Sequence, residues 1–367
     1  MTFDHEAQQE ALALDREARE AEALAYLNAH PEENGRPQQP NQDTTPDFGF
    51  VSMAEHSAKD CRQDYLIGGW LAAGQPCIVA APHKAMKTSV AMDLAISLAT
   101  RSKFLGRFPV SHRVPTLFMS AESGEATIQE TYRRVAVAKG CSATQINDCH
   151  LSFKAPQLAN QIHIATICDF IIAKDIGVVI IDPAYLCMSG IGDRASNLFV
   201  VGEQLRPLSE LCAETGVTPI LLHHTSRGSH SFDPPELSDI AWSGFPEWSR
   251  QWILLNRRER FDPDRPGEHR LWITAGGSAG HSQGWALEIT EGRQDDDAGR
   301  RWEIELQSMG AARFEAASEA ERQRQEAAEL KAEAQLTGDC EAIVEALRSR
   351  PDGETKSEIR NAARINS

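Results

Sequence analysis

The chain has 367 residues, which is enough for one large domain with extensions or for two domains. Hydrophobic residues make up 41% of it, but no apolar run reaches the roughly 20 residues that a membrane-spanning helix requires, so we expect a soluble protein without a membrane partner. The net charge of -16 argues against a broadly basic nucleic-acid-binding protein, because Lys and Arg make most phosphate contacts. The net charge does not argue against a basic surface that is confined to one part of the protein.

The start of the chain, Met1–Glu6, has neither the basic nor the apolar region of a signal peptide, which predicts a cytoplasmic protein. Eight cysteines are scattered without a C-x-x-C pair, and several lie in apolar runs. This pattern favours reduced, buried thiols over disulfides or structural zinc. The cysteines are Cys61, Cys77, Cys141, Cys149, Cys168, Cys187, Cys212 and Cys340.

Composition divides the chain into four parts. Residues 1–30 are rich in Ala and Glu and predict an exposed helical arm, whereas residues 31–50 are rich in Pro, Gln, Asn and Gly, as linkers are. Residues 51–310 carry the core. Residues 311–367 predict a helical tail, with a charged helix over 311–336 and a helix-turn-helix rhythm that starts with a second helix from Glu341 and fits either a partial winged helix or a docking tail.

Strands and helices alternate through the first part of the core. Strands are predicted at 77–81, 114–120, 148–153, 177–182 and 217–223, and helices at 87–101, 125–139, 160–174 and 197–215. This alternation predicts an α/β fold with a mostly parallel sheet that helices cover on both faces. Further strands are predicted at 251–256, 270–274, 285–289 and 302–306, and we expect them to extend one edge of the sheet as antiparallel strands.

One segment, Cys77–Val90, has the pattern of a nucleotide phosphate cradle. An apolar strand breaks into a loop and restarts as a helix that carries Lys87 and Thr88, and a helix N-terminus suits a polyphosphate. In the ordinary form, G-x-x-x-x-G-K-[ST], the lysine reaches the β- and γ-phosphates and the hydroxyl binds magnesium. The residues assigned to nucleotide binding are Ala81, Pro82, His83, Lys84, Ala85, Met86, Lys87, Thr88 and Ser89.

Two positions of this loop depart from the ordinary form. Ala81 and Met86 stand where the glycines belong, and glycine is used there because the backbone approaches phosphate closely and adopts positive φ. A methionine before the lysine is therefore expected to narrow the cradle or to fill it. The alternative for the whole segment is a plain strand-loop-helix with a surface lysine.

Two acidic residues end other predicted strands of the core. Asp182 ends an apolar strand, where nucleotide-binding sheets place the acid that orders magnesium and its waters; a buried strand that ends in a turn is the alternative. Glu122 ends the strand one unit after the cradle, where a carboxylate can align and deprotonate a water molecule. The alternative for Glu122, or for Glu125 beside it, is an acid favoured by the helix dipole, with Ser123 as the cap.

Two histidines, His223 and His224, lie at the tip of the next core strand. A neutral imidazole at this position can donate a hydrogen bond to a γ-phosphate. Metal binding together with His230 is the competing interpretation. Adjacent residues of a strand point to opposite faces, however, which argues against one shared metal ion.

Five motifs, taken in chain order, resemble those of the RecA-like ATPase family. They are G-G-W-L-A-A-G-Q-P, A-P-H-K-A-M-K-T-S, F-M-S-A-E-S, V-V-I-I-D-P and L-L-H-H-T-S-R. The resemblance covers about residues 50–290. Within the family, the sequence is most similar to the RepA-type hexameric helicase ATPases and their AAA-family relatives. Some of these relatives also carry P-x-K-x-x-K-T in the cradle.

The resemblance implies a RecA-like core that binds ATP and Mg²⁺. Lys87 would bind the β- and γ-phosphates, Thr88 would coordinate Mg²⁺, and Asp182 would be the acid that orders the magnesium waters. Glu122 would be the catalytic base. His224 would be the γ-phosphate sensor.

The resemblance also implies a homo-oligomer, hexameric in the branch named, in which an arginine near the end of a late strand reaches into the neighbour's site. The sequence offers Arg257, Arg258 and Arg260 for this role and does not choose among them. A solvated basic strand edge is the alternative for each of the three.

Single-stranded DNA has little support in the sequence as a partner. The loops that would face it, 189–194 and 228–235, contain Gly and Ser but offer only Arg194 and, at the edge, Arg227. Three functions follow in this order: a helicase or helicase-related ATPase of replication or mobile DNA, an assembly or switch ATPase that does not act on DNA, and a degenerate nucleotide-binding protein.

Overall fold

The structure is a computed structural model that describes residues 48–226, 232–295, 299–349 and 353–363. The chain divides into two units, Met1–Arg62 and Gln63–Ser367. In the described part of the first unit, helix α1 (Met53–Ser57) begins with a capping box between Ser52 and Glu55. The predicted helical arm, residues 1–30, and most of the predicted linker lie outside the described residues.

The second unit is built of strands and helices with the following bounds. The strands are β1 (Tyr65–Ile67), β2 (Leu71–Ala72), β3 (Cys77–Ala81), β4 (Thr116–Ser120), β5 (Cys149–Ser152), β6 (Val178–Asp182), β7 (Thr218–His224), β8 (Gln251–Arg257), β9 (Glu268–Gly277), β10 (Ser282–Thr290) and β11 (Glu303–Ser308). The helices are α2 (Lys87–Thr100), α3 (Glu125–Ala138), α4 (Gln161–Lys174), α5 (Leu198–Thr215), α6 (Phe245–Trp248), α7 (Met309–Arg348) and α8 (Lys356–Ala362).

Nine of these strands form one sheet in the order β11-β10-β9-β8-β3-β7-β6-β4-β5. The strands from β8 to β5 in this order run parallel to one another. Every residue of β3, β4 and β6 is buried, as expected of continuous apolar strands that are covered on both faces. One apolar cluster includes Val79 on one face of β3, and a second includes Ile78 on the other. The predicted α/β fold is confirmed.

Strand β8 differs from the sequence-based expectation. The segment 251–256 was expected to be antiparallel, but β8 pairs in parallel with β3, from Cys77↔Gln251 to Ala80↔Leu254. The antiparallel extension therefore begins with β9, which pairs with β8, and continues through β10 and β11. Because β7 and β8 both run parallel to β3, the first residue of β8 lies at the opposite end of the sheet from the last residue of β7.

Helix α7 is a single helix of 40 residues. The sequence predicted a helix over 311–336 and a second one from Glu341, but the helix continues through Gly338 without a break. Of its described residues, Ala312 and Ala346 are buried, and Ala312 packs with Trp272 and Ala286 of the sheet. In the described part of the chain, no helix combines the length and the apolarity needed to cross a bilayer.

The cysteines divide by environment. Cys77, Cys187 and Cys212 are buried in the second unit, whereas Cys61 and Cys340 are exposed. Burial raises the pKa of the Cys187 thiol to about 12, and the nearby charge of Asp182 acts in the same direction. The expectation of buried thiols therefore holds for several of the eight residues but not for these two exposed ones.

The parallel arrangement places four strand ends at one edge of the sheet. Strands β3, β4, β6 and β7 end at Ala81, Ser120, Asp182 and His224, and β7 lies between β3 and β6. In open α/β sheets, ligands bind outside the carboxyl ends of the strands. The predicted site residues therefore lie at the same edge of the sheet, because the strands that carry them end side by side.

Candidate functional site

The predicted phosphate cradle is a loop between β3 and α2. Its backbone adopts the left-handed conformation at Lys84 (φ 55°) and at Met86 (φ 63°), although neither residue is glycine. This conformation costs a non-glycine residue about 1–2 kcal/mol. The Met86 side chain is half-buried and packs against the apolar cluster that includes Val90 of α2. The side chain that was expected to narrow or fill the cradle therefore contacts the core.

Lys87 and Thr88, the first two residues of α2, both contact Asp182 at the end of β6. The Lys87 ammonium lies 3.2 Å from Oδ1 of Asp182, and the Thr88 hydroxyl donates a 2.6 Å hydrogen bond to Oδ2. The side chains of Lys87 and Asp182 are 7% and 0% exposed, so this is a buried ion pair. The structure thus brings together three of the predicted site residues.

Glu122 follows β4, the strand beside β6. Ser120 pairs with Asp182 across these strands, and the Ala121 N–H donates a 2.9 Å hydrogen bond to the Asp182 carbonyl. The Glu122 side chain is exposed. Burial raises the pKa of the Tyr185 hydroxyl, and the charges of Glu122 and Asp182 raise it further.

Helix α3 begins at Glu125, three residues after Glu122. Its N-cap is Gly124, which makes no side-chain cap, and not Ser123 as the alternative interpretation expected. Glu125 is the acidic residue in the first turn of α3. The helix-dipole explanation therefore applies directly to Glu125, whereas Glu122 lies outside the helix.

The two histidines of β7 occupy different environments. The His224 ring stacks on His83 of the cradle, with 4.1 Å between ring centroids. Burial lowers the pKa of His224 to about 4, and the charges of Lys87 and His83 act in the same direction. Its imidazole is therefore neutral at pH 7.

His223 is almost fully buried. Its ring stacks on Phe245 at 4.2 Å, and its Nε2 donates a 3.0 Å hydrogen bond to the carbonyl of Ala241. Burial lowers the pKa of His223 to about 3, with smaller effects from His224 and Lys87. His230, the third residue of the metal interpretation, lies outside the described residues. Within the described ranges, no group of three or more His, Cys, Asp or Glu residues is placed to hold a metal ion.

The three candidate arginines near the end of β8 have three different environments. Arg257 donates hydrogen bonds from Nη2 to the carbonyls of His83 (3.3 Å) and Lys84 (3.0 Å). Arg258 pairs with Glu288 of β10 at 3.0 Å, and its guanidinium also lies over the Trp272 ring, 5.1 Å from its centroid. Arg260 is exposed.

The sequence of the chain also matches a known protein family. A family model described as an AAA domain matches residues 42–230, which is more than half of the 367 residues. The chain belongs to the AAA-domain family. The AAA-domain core described above has the RecA-like P-loop ATPase fold, with the cradle strand β3 in the middle of the sheet.

Two solved structures are similar to the AAA-domain core. A KaiC-like protein of the hyperthermophilic archaeon Pyrococcus horikoshii OT3 is 17% identical, with a TM-score of 0.40, over 62% of this chain and 91% of that one. The ATPase domain of G40P is 16% identical, with a TM-score of 0.46, over 64% of this chain and 91% of that one. No curated protein matches the chain. The family model, and not these structures, carries the assignment.

A buried arginine that the sequence analysis did not single out contacts the AAA-domain cradle. Arg134 of α3 donates a 3.1 Å hydrogen bond to the hydroxyl of Ser89, next to Thr88, and pairs with Glu291 after β10. Burial opposes ionisation of Glu291, but the His269 hydrogen bond and the Arg134 charge outweigh it and lower the pKa of Glu291 to about 2. Arg134 belongs to no motif, so the sequence carried no signal for this contact.

The loops predicted to face DNA are only partly described in the AAA-domain core. In the first loop, Arg194 donates a 2.8 Å hydrogen bond to the carbonyl of Gly190, so its guanidinium binds its own loop. In the second, Arg227 and residues 228–231 lie outside the described residues. The carbonyl of Phe232 accepts a 2.6 Å hydrogen bond from the Trp272 indole.

Proposed function

We propose that the chain is a Mg-dependent ATPase whose active site is the cradle between β3 and α2. The observation that carries this proposal is the contact of both Lys87 and Thr88 with the buried carboxylate of Asp182. These three residue types are the ones that P-loop NTPases use to hold phosphate and magnesium. The AAA-domain match supports the same reading.

The donor set fits Mg²⁺ and a triphosphate. Magnesium prefers hard oxygen ligands, and the Thr88 hydroxyl and the Asp182 carboxylate lie 2.6 Å apart. Lys87 supplies an ammonium beside them, and the first turn of the 14-residue α2 supplies backbone N–H groups that suit a phosphate. When bound, Mg²⁺ would neutralise charge that develops on the phosphate oxygens. Lys87 would exchange its ion pair with Asp182 for the β- and γ-phosphates.

Glu122 and His224 take complementary roles in this proposal. Glu122 follows the strand beside Asp182 and is exposed, so it can orient a water molecule for in-line attack and accept its proton. His224 ends the strand beside β3 and is neutral at pH 7, so it can donate a hydrogen bond to the terminal phosphate without a charge of its own. The stack on His83 holds its ring beside the cradle.

The first test is hydrolysis of ATP by the purified chain with Mg²⁺ and with EDTA. We expect Mg-dependent release of phosphate, and we expect Lys87→Ala to lose it. Lys174→Ala, at the exposed end of α4, is the matched control and should hydrolyse ATP like the wild type. Equal rates in wild type and Lys87→Ala would contradict the proposal.

The finer proposal is that this ATPase is the motor of a RepA-like DNA helicase, or of a helicase-related protein of replication or mobile DNA, and works as a cytoplasmic homo-oligomer. The motif resemblance supports it. An assembly or switch ATPase that does not act on DNA is the second candidate. The net charge of -16 and the hydrogen bond that Arg194 makes within its own loop favour this second candidate.

One measurement separates the two candidates. Hydrolysis is followed with and without single-stranded DNA over a dilution series of the protein. A helicase motor should be stimulated by DNA, with a steep salt dependence. An assembly ATPase should ignore DNA and respond to protein concentration. A chain that binds ATP without turnover would be the degenerate protein.

A further inference from the structure

The end of β8 lies beside the cradle loop of its own chain. Pairing between β3 and β8 ends at Ala80↔Leu254, but β8 continues for three more residues, to Arg257. Strand β3 leaves the sheet after Ala81 and becomes the loop. The last residues of β8 therefore flank the loop on the side where β3 has ended, and on their other side they still pair with β9, up to Arg257↔Leu271.

The Arg257 guanidinium binds the backbone of this loop. Its Nη2 donates to the carbonyls of His83 and Lys84, at 3.3 and 3.0 Å. Because a trans peptide is planar, its C=O and N–H point in opposite directions. Holding the His83 carbonyl from the side of β8 therefore turns the N–H of Lys84 away from β8. Arg257 thus fixes the orientation of a loop peptide as well as its position.

The loop has a specific need for such a contact. Lys84 and Met86 both have positive φ, a conformation that glycine adopts freely and that other residues disfavour. Because these two residues do not favour the observed loop conformation, contacts from outside the loop must stabilise it. Hydrogen bonds from a charged donor are among the stronger ones available in proteins.

We infer that Arg257 acts in cis, as a positioning residue that holds the phosphate cradle of its own chain in the binding conformation. This inference rests on the proposed function, since the cradle is taken to bind ATP. The inference also assigns different roles to the three candidate arginines. Arg258 is held by Glu288 and Trp272 within its own sheet, and Arg260 is the exposed one that is suited to reach a neighbouring site.

The kinetic test compares Arg257→Ala, Arg257→Lys and Arg260→Ala. Arg206→Ala, on the exposed face of α5, is the control that should match wild type. For Arg257→Ala we expect the KM for ATP and the Kd for a fluorescent ATP analogue to rise about 10-fold or more, with kcat within about 3-fold of wild type. Arg257→Lys keeps the charge but lacks the planar guanidinium that can donate to two carbonyls. Its KM and Kd should therefore lie between those of wild type and Arg257→Ala.

An arginine that acts in trans predicts the opposite result. It stabilises charge that develops during the reaction, so its loss should lower kcat about 1000-fold with Kd unchanged. That outcome for Arg257→Ala would overturn the inference. Mixing Arg257→Ala subunits with Lys87→Ala subunits provides a second check. At an ATP concentration below the KM of wild type, the mixture should be no more active than the Arg257→Ala subunits that it contains if Arg257 serves its own chain, whereas a higher activity would place Arg257 in a neighbour's site.

A nucleotide-free measurement keeps this inference separate from the proposed function. Hydrogen exchange of a peptide that spans residues 82–86 is followed by mass spectrometry without ATP. We expect faster exchange in Arg257→Ala than in wild type, and unchanged exchange in Arg206→Ala. If wild type neither binds nor hydrolyses ATP, the proposed function fails, while the exchange data still decide whether Arg257 holds the loop. Equal exchange in Arg257→Ala and wild type would overturn it.

Discussion

The Lys87 ammonium lies 3.2 Å from Oδ1 of Asp182, in a site where both side chains are almost completely buried. A buried carboxylate that loses its cation is costly, because desolvation is then no longer offset. In the present structure each of the two groups therefore stabilises the other. The same lysine is the proposed phosphate ligand, so nucleotide binding and this ion pair are coupled.

The ion pair gives a first prediction. Lys87→Met keeps the side-chain volume but leaves Asp182 buried without its cation, so we expect the chain to be destabilised by about 3–5 kcal/mol. Asp182→Asn should also destabilise it. The double variant should lose less than the sum of the two, with a coupling of about 1–3 kcal/mol in urea unfolding. Additive losses would show that the two charges do not interact.

The second prediction concerns the catalytic base. Glu122→Gln should bind ATP as tightly as wild type, because the exposed side chain is proposed to act on water. Its kcat should fall by about 100-fold or more, which is the usual contribution of general-base catalysis. Glu125→Gln is a matched control in the first turn of α3 and should keep its activity. A large loss in Glu125→Gln together with an active Glu122→Gln would reverse the assignment.

The third prediction concerns Met86, whose φ is 63°. Met86→Ala removes packing against the core but keeps a side chain in the left-handed conformation. Met86→Gly removes the same packing and also relieves the strain. We therefore expect Met86→Gly to be more stable than Met86→Ala by about 1 kcal/mol in thermal or urea unfolding. The reverse order would mean that the loop does not hold this conformation in solution.

The fourth prediction is a pH dependence of stability. Burial lowers the pKa of His223 from 6.5 to about 3 in the folded chain, so the unfolded chain binds more protons between these values. Stability is then fully present above about pH 6.5 and is lost as the pH falls toward 3, by up to about 1.4 kcal/mol per unit. His223→Gln can keep the hydrogen bond to Ala241 without titrating, so its stability should fall less steeply.

The control for this measurement is His112→Gln, a substitution at an exposed position outside the site. Chemical unfolding at several pH values between about 4 and 7 provides the slopes. An identical slope for His223→Gln and wild type would show that His223 is not buried as a neutral imidazole.

Much of the core could be predicted from local patterns. Short apolar runs bounded by turn residues placed β3, β6 and β7 within one residue of their observed bounds, and the apolar helix after Lys87 was placed equally well. The direction of β8 could not be predicted in this way. It depends on the end of the sheet at which Gln251 begins the strand, which local hydrophobicity does not encode.

The site was predictable only in part. The proximity of Lys87, Thr88 and Asp182 followed from parallel strands that end at one edge. The contacts of Met86 and Arg257 could not be predicted, because both are non-local. Met86 packs against the core cluster, and Arg257 binds a loop 173 residues earlier in the chain. Sequence distance hides such contacts, so residue type alone left three arginines equivalent.

Helix α7 has a mechanical consequence. Its 40 residues rise about 1.5 Å each and so extend about 60 Å, while its first turns rest on the sheet through Ala312. A rod of this length works as a lever: a tilt of about 5° at the sheet displaces the far end by about 5 Å. Sub-ångström adjustments of β10 and β11 would therefore be amplified severalfold at Arg348.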